Sequence, residues 1–367
     1  MNSINNGYTL LRVIINKSVS NKIITDEIIT LCETIVMVKA RGTLVKDSWY
    51  QRYLPTINPE QEVVELMVPN KNINRVTDII IEKGKLDRYG KGAIYTHSCE
   101  QTISKGPLIE SSNSQPLTNK NMINGLTSIY CVVQKGNAEK IARVALNEGS
   151  HGPIISYALG KGIRDRLGLI RIAINPEKEF ISVVVDDYIA DKMFDAMITA
   201  GHLNVAGAGF IYMMPVDQGM INIRTVHRAG HSTEMLELLI KEMDNLKGSK
   251  RWRQVEIRTD ESKYENREYL LDLVRLTCIA PRGQGEELVK KSLSKGAPGA
   301  NIFHGVELGK EFLEFKKSSK HNLEKEVIEM TIQKDKVTDI TQVMQSASEQ
   351  DLLFYTQNVP KAFTYLG

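Results

Sequence analysis

The sequence predicts an α+β protein built from three tandem β-α-β-β-α-β units. Three observations predict it: a recurring acidic strand opening, a recurring glycine-marked turn, and the same order of apolar strands and helix-period segments around them. "NPEQEVVELMV" begins at Asn58 and "NPEKEFISVVV" at Asn175, an offset of 175 − 58 = 117. "NLEKEVIEMTI" begins at Asn322, a further 322 − 175 = 147 along the chain. Gly207 and Gly209 of "VAGAGFIYMMPV" stand at the first offset from Gly90 and Gly92 of "RYGKGAIYTH". At the second offset Cys131 aligns with Cys278, Lys135 and Gly136 with Arg282 and Gly283, and Gly149 with Gly296.

Each unit opens on an apolar strand: "YTLLRVII", "SIYCVVQ" and "LVRLTCIA". A helix-period segment follows, clearest in "NAEKIARVAL", where Ile141, Val144 and Ala145 share a face. A second strand comes next ("IVMVKA", "PIISYAL", "ANIFHGV"), then a polar loop and a third ("EVVELMV", "EFISVVV", "EVIEMTI"). A second helix ("NINRVTDIIIEKG", "YIADKMFDAMITAG", "KVTDITQVMQSAS") leads to a short last strand ("GAIYTH", "GFIYMMP", "LLFYTQ"). This order is the ferredoxin-like plan. The strands are apolar on both parities, so both sheet faces are expected to be buried, with three sheets packed face to face around an axis. The division is unit 1 at 1–98, a Ser/Asn/Pro-rich linker at 99–125, unit 2 at 126–218, a connecting elaboration at 219–269 and unit 3 at 270–367. The elaboration holds strand-like "MINIRTV", helix-like "TEMLELLIKEMDNL" and strand-like "RWRQVEIRT".

Composition narrows the function classes. The 367 residues are 42% hydrophobic and 25% charged, ordinary for a globular protein, and a net charge of +3 makes no case for nucleic acid. No apolar run reaches about 18 residues, so no membrane span is expected. The N-terminus "MNSINNGYTL" lacks a secretory pattern. Cys32, Cys99, Cys131 and Cys278 are scattered and read as reduced thiols of a cytoplasmic protein. Gly230 interrupts the His227–His231 spacing, so no metal site is expected. There is no Walker loop, nucleophile elbow or convincing catalytic carboxylate pair, so the chain is not read as an enzyme.

The succession "LGKGIRDRLGL … NPEKEFISVVVDDYIADKMFDAMITAGHLNVAGAGFIYMMPV", Leu159 to Val216, resembles the PII nitrogen-regulatory superfamily. It is most similar to PII-like signalling proteins with a short central loop. "INIRT", Ile221 to Thr225, is similar to the arginine-bearing segment that follows the last strand in that family. The resemblance covers unit 2 over nearly its whole length, unit 1 from Arg41 onward, and unit 3 through unit 2. It implies a single-chain PII-like pseudotrimer, a monomer with internal pseudo-three-fold symmetry. Clefts between units would sense a small anionic ligand, with an adenine nucleotide as the candidate, and signal to a regulatory target protein. The turns Gly90, Lys91, Gly92 and Gly207, Ala208, Gly209 would cradle phosphates through backbone amides. Arg41, Lys161, Arg164 and Arg224 would supply charge. In unit 3, Glu349 and Asp351 replace the glycines and would leave that cleft dead.

Two features pull the other way. A tight turn is sufficient reason for the glycines. Glu60, Glu62, Glu177 and Glu179 stand where the family carries lysine and oppose an anion. They favour an alternative reading, a degenerate adaptor that binds a partner protein without a small ligand. The longer loop of unit 1 carries Tyr50 and Tyr53 as candidates for modification.

Overall fold

The computed structural model describes residues 3–5, 7–42, 60–88, 90–105, 122–150, 152–162, 177–223, 267–308 and 323–365. Its first third runs β1 (Ser3–Asn5), β2 (Tyr8–Asn16), α1 (Lys17–Ile23), α2 (Asp26–Leu31), β3 (Thr34–Gly42), β4 (Glu60–Pro69), α3 (Ile73–Gly84), β5 (Gly92–Ser98) and β6 (Gln101–Ser104). The second runs β7 (Leu126–Gln134), α4 (Ala138–Asn147), β8 (Ile154–Gly162), β9 (Glu177–Asp186), α5 (Asp187–Gly201), β10 (Gly209–Val216) and β11 (Gly219–Asn222). The last runs β12 (Leu270–Pro281), α6 (Gly285–Ser294), β13 (Gly299–Glu307), β14 (Glu324–Gln333), α7 (Val337–Ser346) and β15 (Leu353–Thr364).

The architecture corrects the expectation of three tandem ferredoxin-like units assembled as a PII-like pseudotrimer. The strands do not form three separate sheets. They form one continuous sheet of 15 strands. Every pairing is antiparallel, and the sheet closes as a β-barrel. The ladder runs β12–β15–β10–β7–β9–β8–β13–β14 and returns to β12. Strands β3, β8 and β13 also pair with one another, each ladder only a few residues long. The physical reason is the unpaired edge. Strands such as β8, β10 and β13 carry free backbone donors and acceptors on one side, and each satisfies them on a strand from another third of the chain.

Alternation along each strand sets what the barrel encloses. In β2, Leu11, Val13 and Ile15 pack with Ile28, Ile73, Val76 and Ile80 beneath the helices. The opposite parity sends Tyr8 and Leu10 to a different cluster, together with Tyr130, Phe180, Tyr212, Phe303 and Tyr355. This second cluster draws on strands from all three thirds and fills the interior. Beneath the other helices, Ile141, Phe194 and Met197 form one outer core, and Leu288, Ile340 and Met344 form another. Helices α3 and α5 stop at Lys85 and His202, whose φ of 52 and 50 places each in the left-handed region that ends helices.

Gly92 and Gly209 open β5 and β10 where the backbone presses on a neighbouring strand. A Cβ on Gly92 would meet the Ile14 carbonyl oxygen, and one on Gly209 the Val132 carbonyl oxygen. Gly149, by contrast, has φ +100 and nothing within 4 Å of the place a Cβ would take. Gly92→Ala and Gly209→Ala are each expected to lower the unfolding free energy by about 2–4 kcal/mol. Gly149→Ala should cost only about 1 kcal/mol, from its backbone conformation. Urea denaturation of the three variants checks the ranking; equal losses at all three would mean that close approach is not what these glycines serve.

Candidate functional site

Gly90 lies at φ 78 with its N–H donated to the Asn222 carbonyl at 2.7 Å. The Lys91 N–H goes to Arg88 O and the Ala208 N–H to Val205 O. Gly207 has φ 76, and its carbonyl accepts from Gln134 Nε2 at 3.3 Å. The turn amides at Gly90, Lys91 and Ala208 are therefore used within the chain. Lys91, Glu349 and Asp351 are exposed. Arg164, Arg224, Tyr50 and Tyr53 lie outside the described residues.

Arg41 and Lys161 do bridge different thirds of the chain. Arg41 donates to Glu139 Oε2 at 2.8 Å, to the Tyr157 hydroxyl at 2.9 Å and to Glu179 Oε1 at 3.4 Å. Burial opposes its charge, but these hydrogen bonds outweigh it and raise its pKa. Lys161 Nζ lies 3.3 Å from Glu286 Oε1. Glu139 and Glu286 both sit in the first turn of the helix after the opening strand, so the two bridges repeat one arrangement. The basic residues hold protein carboxylates.

The acidic strand openings prove more informative than the glycines. Glu62, Glu179 and Glu326 occupy the same place on β4, β9 and β14, opposite Ile15, Val133 and Ala280 of the opening strands. All three are buried, at 4%, 5% and 7% exposure. Glu179 Oε2 accepts the Gly136 and Ala138 amides at 2.9 and 3.0 Å. Glu326 Oε2 accepts the Gly285 amide at 2.6 Å. A carboxylate at a helix N-terminus satisfies amides that have no intrahelical partner. In the first third the pattern breaks: Glu62 Oε2 is buried with no hydrogen-bond partner, and Glu62 lines a cavity of about 450 Å³.

A second polar assembly sits inside the barrel. Arg12 and Arg275 lie over the Tyr130 ring, 5.1 and 5.5 Å from its centroid. Arg12 Nη1 contacts Glu65 Oε1 at 3.0 Å, and Arg275 Nη2 bridges Glu65 and Glu329. Burial pushes the Glu65 carboxyl up, but Arg12, Arg275 and the Tyr355 hydroxyl outweigh it and leave its pKa lowered. At Glu329 burial dominates over the opposing Arg275, and the pKa is raised. His97 Nδ1 lies 2.7 Å from the Pro215 carbonyl, which can only accept. Neutral His97 therefore carries its proton on Nδ1, leaving Nε2 to accept from the Tyr130 hydroxyl at 3.3 Å. The lone arginines inside "YTLLRVII" and "LVRLTCIA" are the sequence signal for this assembly. Reading those runs only as apolar strands misses it.

Two expectations follow from the interior assembly. Arg275→Met leaves Glu329 and Glu65 short of their buried partner and should cost about 3–5 kcal/mol, while adding Glu329→Leu should recover much of the loss. Urea denaturation of the single and double variants decides it; a double variant no better than the single one would contradict the pairing. Burial, aided by Arg275 and Arg12, lowers the His97 pKa to about 3 against the pull of Pro215. An unfolded histidine titrates near 6.5, so below that pH unfolding takes up a proton. The stability from neutral His97 is full above about pH 6.5 and is lost as pH falls toward the folded pKa. Between pH 6.5 and 4 this amounts to about 3 kcal/mol, and His97→Gln should flatten the slope by that amount relative to wild type.

Among the described residues, no three His, Cys, Asp or Glu side chains gather as a metal site. No helix among them is long and apolar enough to cross a membrane. No family model matches the chain, and no curated protein matches it. Solved structures similar to it include aspartate kinase from Synechocystis, 8% identical over 98% of this chain and 46% of that one, with a TM-score of 0.21. Another is an anthrone oxidase-like protein, 7% identical over 67% of this chain and 97% of that one, with a TM-score of 0.17. The chain thus spans less than half the length of the kinase chain. Likeness at these scores carries no argument about fold or activity. The closed barrel overturns the three separate ferredoxin-like units, and nothing in these comparisons supports PII-like signalling or nitrogen regulation.

Proposed function

We propose that this chain is a non-catalytic regulatory protein that binds a small molecule at one member of a thrice-repeated set of positions. One observation carries the reading: Glu179 and Glu326 are closed by the chain's own amides, while Glu62 stands at an open cavity. Divergence among repeats within one chain allows two positions to hold the fold and the third to take a ligand. The four thiols support a role without catalysis, because all are buried and burial raises each pKa, for Cys32 and Cys99 to about 12. The same reduced thiols fit a reducing compartment such as the cytoplasm.

The adaptor reading draws on a different observation, the turn amides already used inside the chain. Adenine nucleotides would have to displace those bonds to bind at the glycine turns. A thermal-shift screen separates the two readings, using nucleotides, cyclic dinucleotides, amino acids and amines. A small molecule held at 100 times its dissociation constant should stabilise the fold by about 2.7 kcal/mol. A screen in which no compound shifts the transition would sink the binding reading and leave the adaptor.

A further inference from the structure

We infer that the cavity at Glu62 is a binding site for a small organic cation bearing an ammonium or guanidinium group. The inference deepens the small-molecule reading above and rests on it. The argument is one of comparison within the chain. Between β7 and α4 lie Lys135, Gly136 and Asn137, and between β12 and α6 lie Arg282, Gly283 and Gln284. Gly136 and Gly283 have φ of 98 and 90, and these turns bring the helix amides onto Glu179 and Glu326. Between β2 and α1 there is no such link: the helix starts at Lys17 directly after Asn16, whose Oδ1 accepts the Ser18 N–H at 3.0 Å. The Ser18 amide, the counterpart of the Gly136 amide, is turned to Asn16 instead of Glu62, and the cavity lies beside it.

The outer ion pair is kept in all three repeats. Lys17 holds Glu60 at 2.8 Å, as Lys135 holds Glu177 at 2.8 Å and Arg282 holds Glu324 at 3.0 Å. Lys17 is hydrogen-bonded to Glu60 and reaches Glu62 only through its charge, without donating a hydrogen bond to it. The lining is Asn16, Lys17, Ser18, Ser20, Glu60 and Glu62, which leaves one carboxylate in excess. The Ser18 and Ser20 hydroxyls already donate, to Asn16 Oδ1 and Lys17 O, and are left as acceptors. A buried carboxylate oxygen without a donor, as at Glu62 Oε2, is unfavourable, and a group that relieves it best brings both N–H donors and positive charge. An ammonium or guanidinium does so; a phosphate or carboxylate ligand would add repulsion.

The test titrates the full chain with methylguanidinium chloride and with ethylammonium chloride. Potassium chloride matches ionic strength, and magnesium chloride serves as a metal arm. At least one organic cation should bind saturably, and Glu62→Gln should weaken it about tenfold or more, the loss expected for one charge-assisted contact. Glu179→Gln should leave that affinity unchanged. Without any added cation, Glu62→Gln should melt at or above the wild-type temperature, whereas Glu179→Gln should melt below it. Unchanged affinity in Glu62→Gln, preference for magnesium, or a destabilised Glu62→Gln would each overturn the assignment. Should anions shift the transition in the screen while both organic cations fail, this assignment falls and the small-molecule reading survives. Should every compound fail, both fall together.

Discussion

Burial of both sheet faces is the constraint on which the rest of the structure depends. The strands carry apolar residues on both parities, as in β4, where Val64, Leu66 and Val68 face the helices and Val63 and Met67 face inward. Helices can cover only one face. The other must be covered by strands, and a sheet that covers its own inner face has to close. Closure also removes the edges that would otherwise pair with another molecule. The joins fall where strands from different thirds meet: β10 takes β15, β8 takes β13, and β3 lies against both β8 and β13. Each join is an antiparallel ladder between segments far apart in the chain, so closure waits on long-range contacts.

An interior assembled from three inward faces does not have to be wholly apolar. Arg12, Arg275, Glu65 and Glu329 meet there with four tyrosines and His97 around them. Taking such charges out of water is unfavourable, and their mutual contacts and the Tyr130 ring offset part of that cost. What the arrangement secures is uniqueness. Arg12 on β2 needs Glu65 on β4, and Arg275 on β12 needs Glu65 and Glu329. A slip of one residue in any of these strands would send a charge to the outer core beneath a helix. The acidic pair is also unequal, with Glu65 held below the ordinary carboxylate pKa and Glu329 above it. The difference follows from contacts: Arg12 and the Tyr355 hydroxyl serve Glu65, while Glu329 has Arg275 alone among the hydrogen-bonding partners shown.

The positions of single strands and helices are legible in the sequence, and their assembly is not. Asn58, Asn175 and Asn322 mark the recurring segment that becomes β4, β9 and β14. The period of "NAEKIARVAL" marks α4. Those signals are local. The pairing of β8 with β13, by contrast, depends on which exposed edge finds which, and no nearby residue records it. The glycine turns are legible as turns but not in their purpose, because a backbone approaching a phosphate and one approaching Val132 O both require the missing Cβ. In the sequence the acidic openings read as a departure from an anion site. In the structure Glu179 and Glu326 are helix-capping groups, a role that depends on where Gly136 and Gly285 place their amides, while Glu60 and Glu177 hold Lys17 and Lys135.

A repeat that serves three times in one chain need not serve alike. Around Glu179 and Glu326 the helix amides are in place, Glu179 also meets Arg41 from another third of the chain, and altering either carboxylate would disturb a helix N-terminus. At Glu62 the strand runs straight into α1, the Ser18 amide is turned to Asn16, and the Oε2 atom is buried without a donor. A buried carboxylate oxygen that no donor of the fold satisfies, beside a cavity, is where a group from outside the fold has most to offer. A helix that begins at Lys17, three residues earlier relative to its strand than the helix that begins at Ala138, is enough to change a capping carboxylate into an open one.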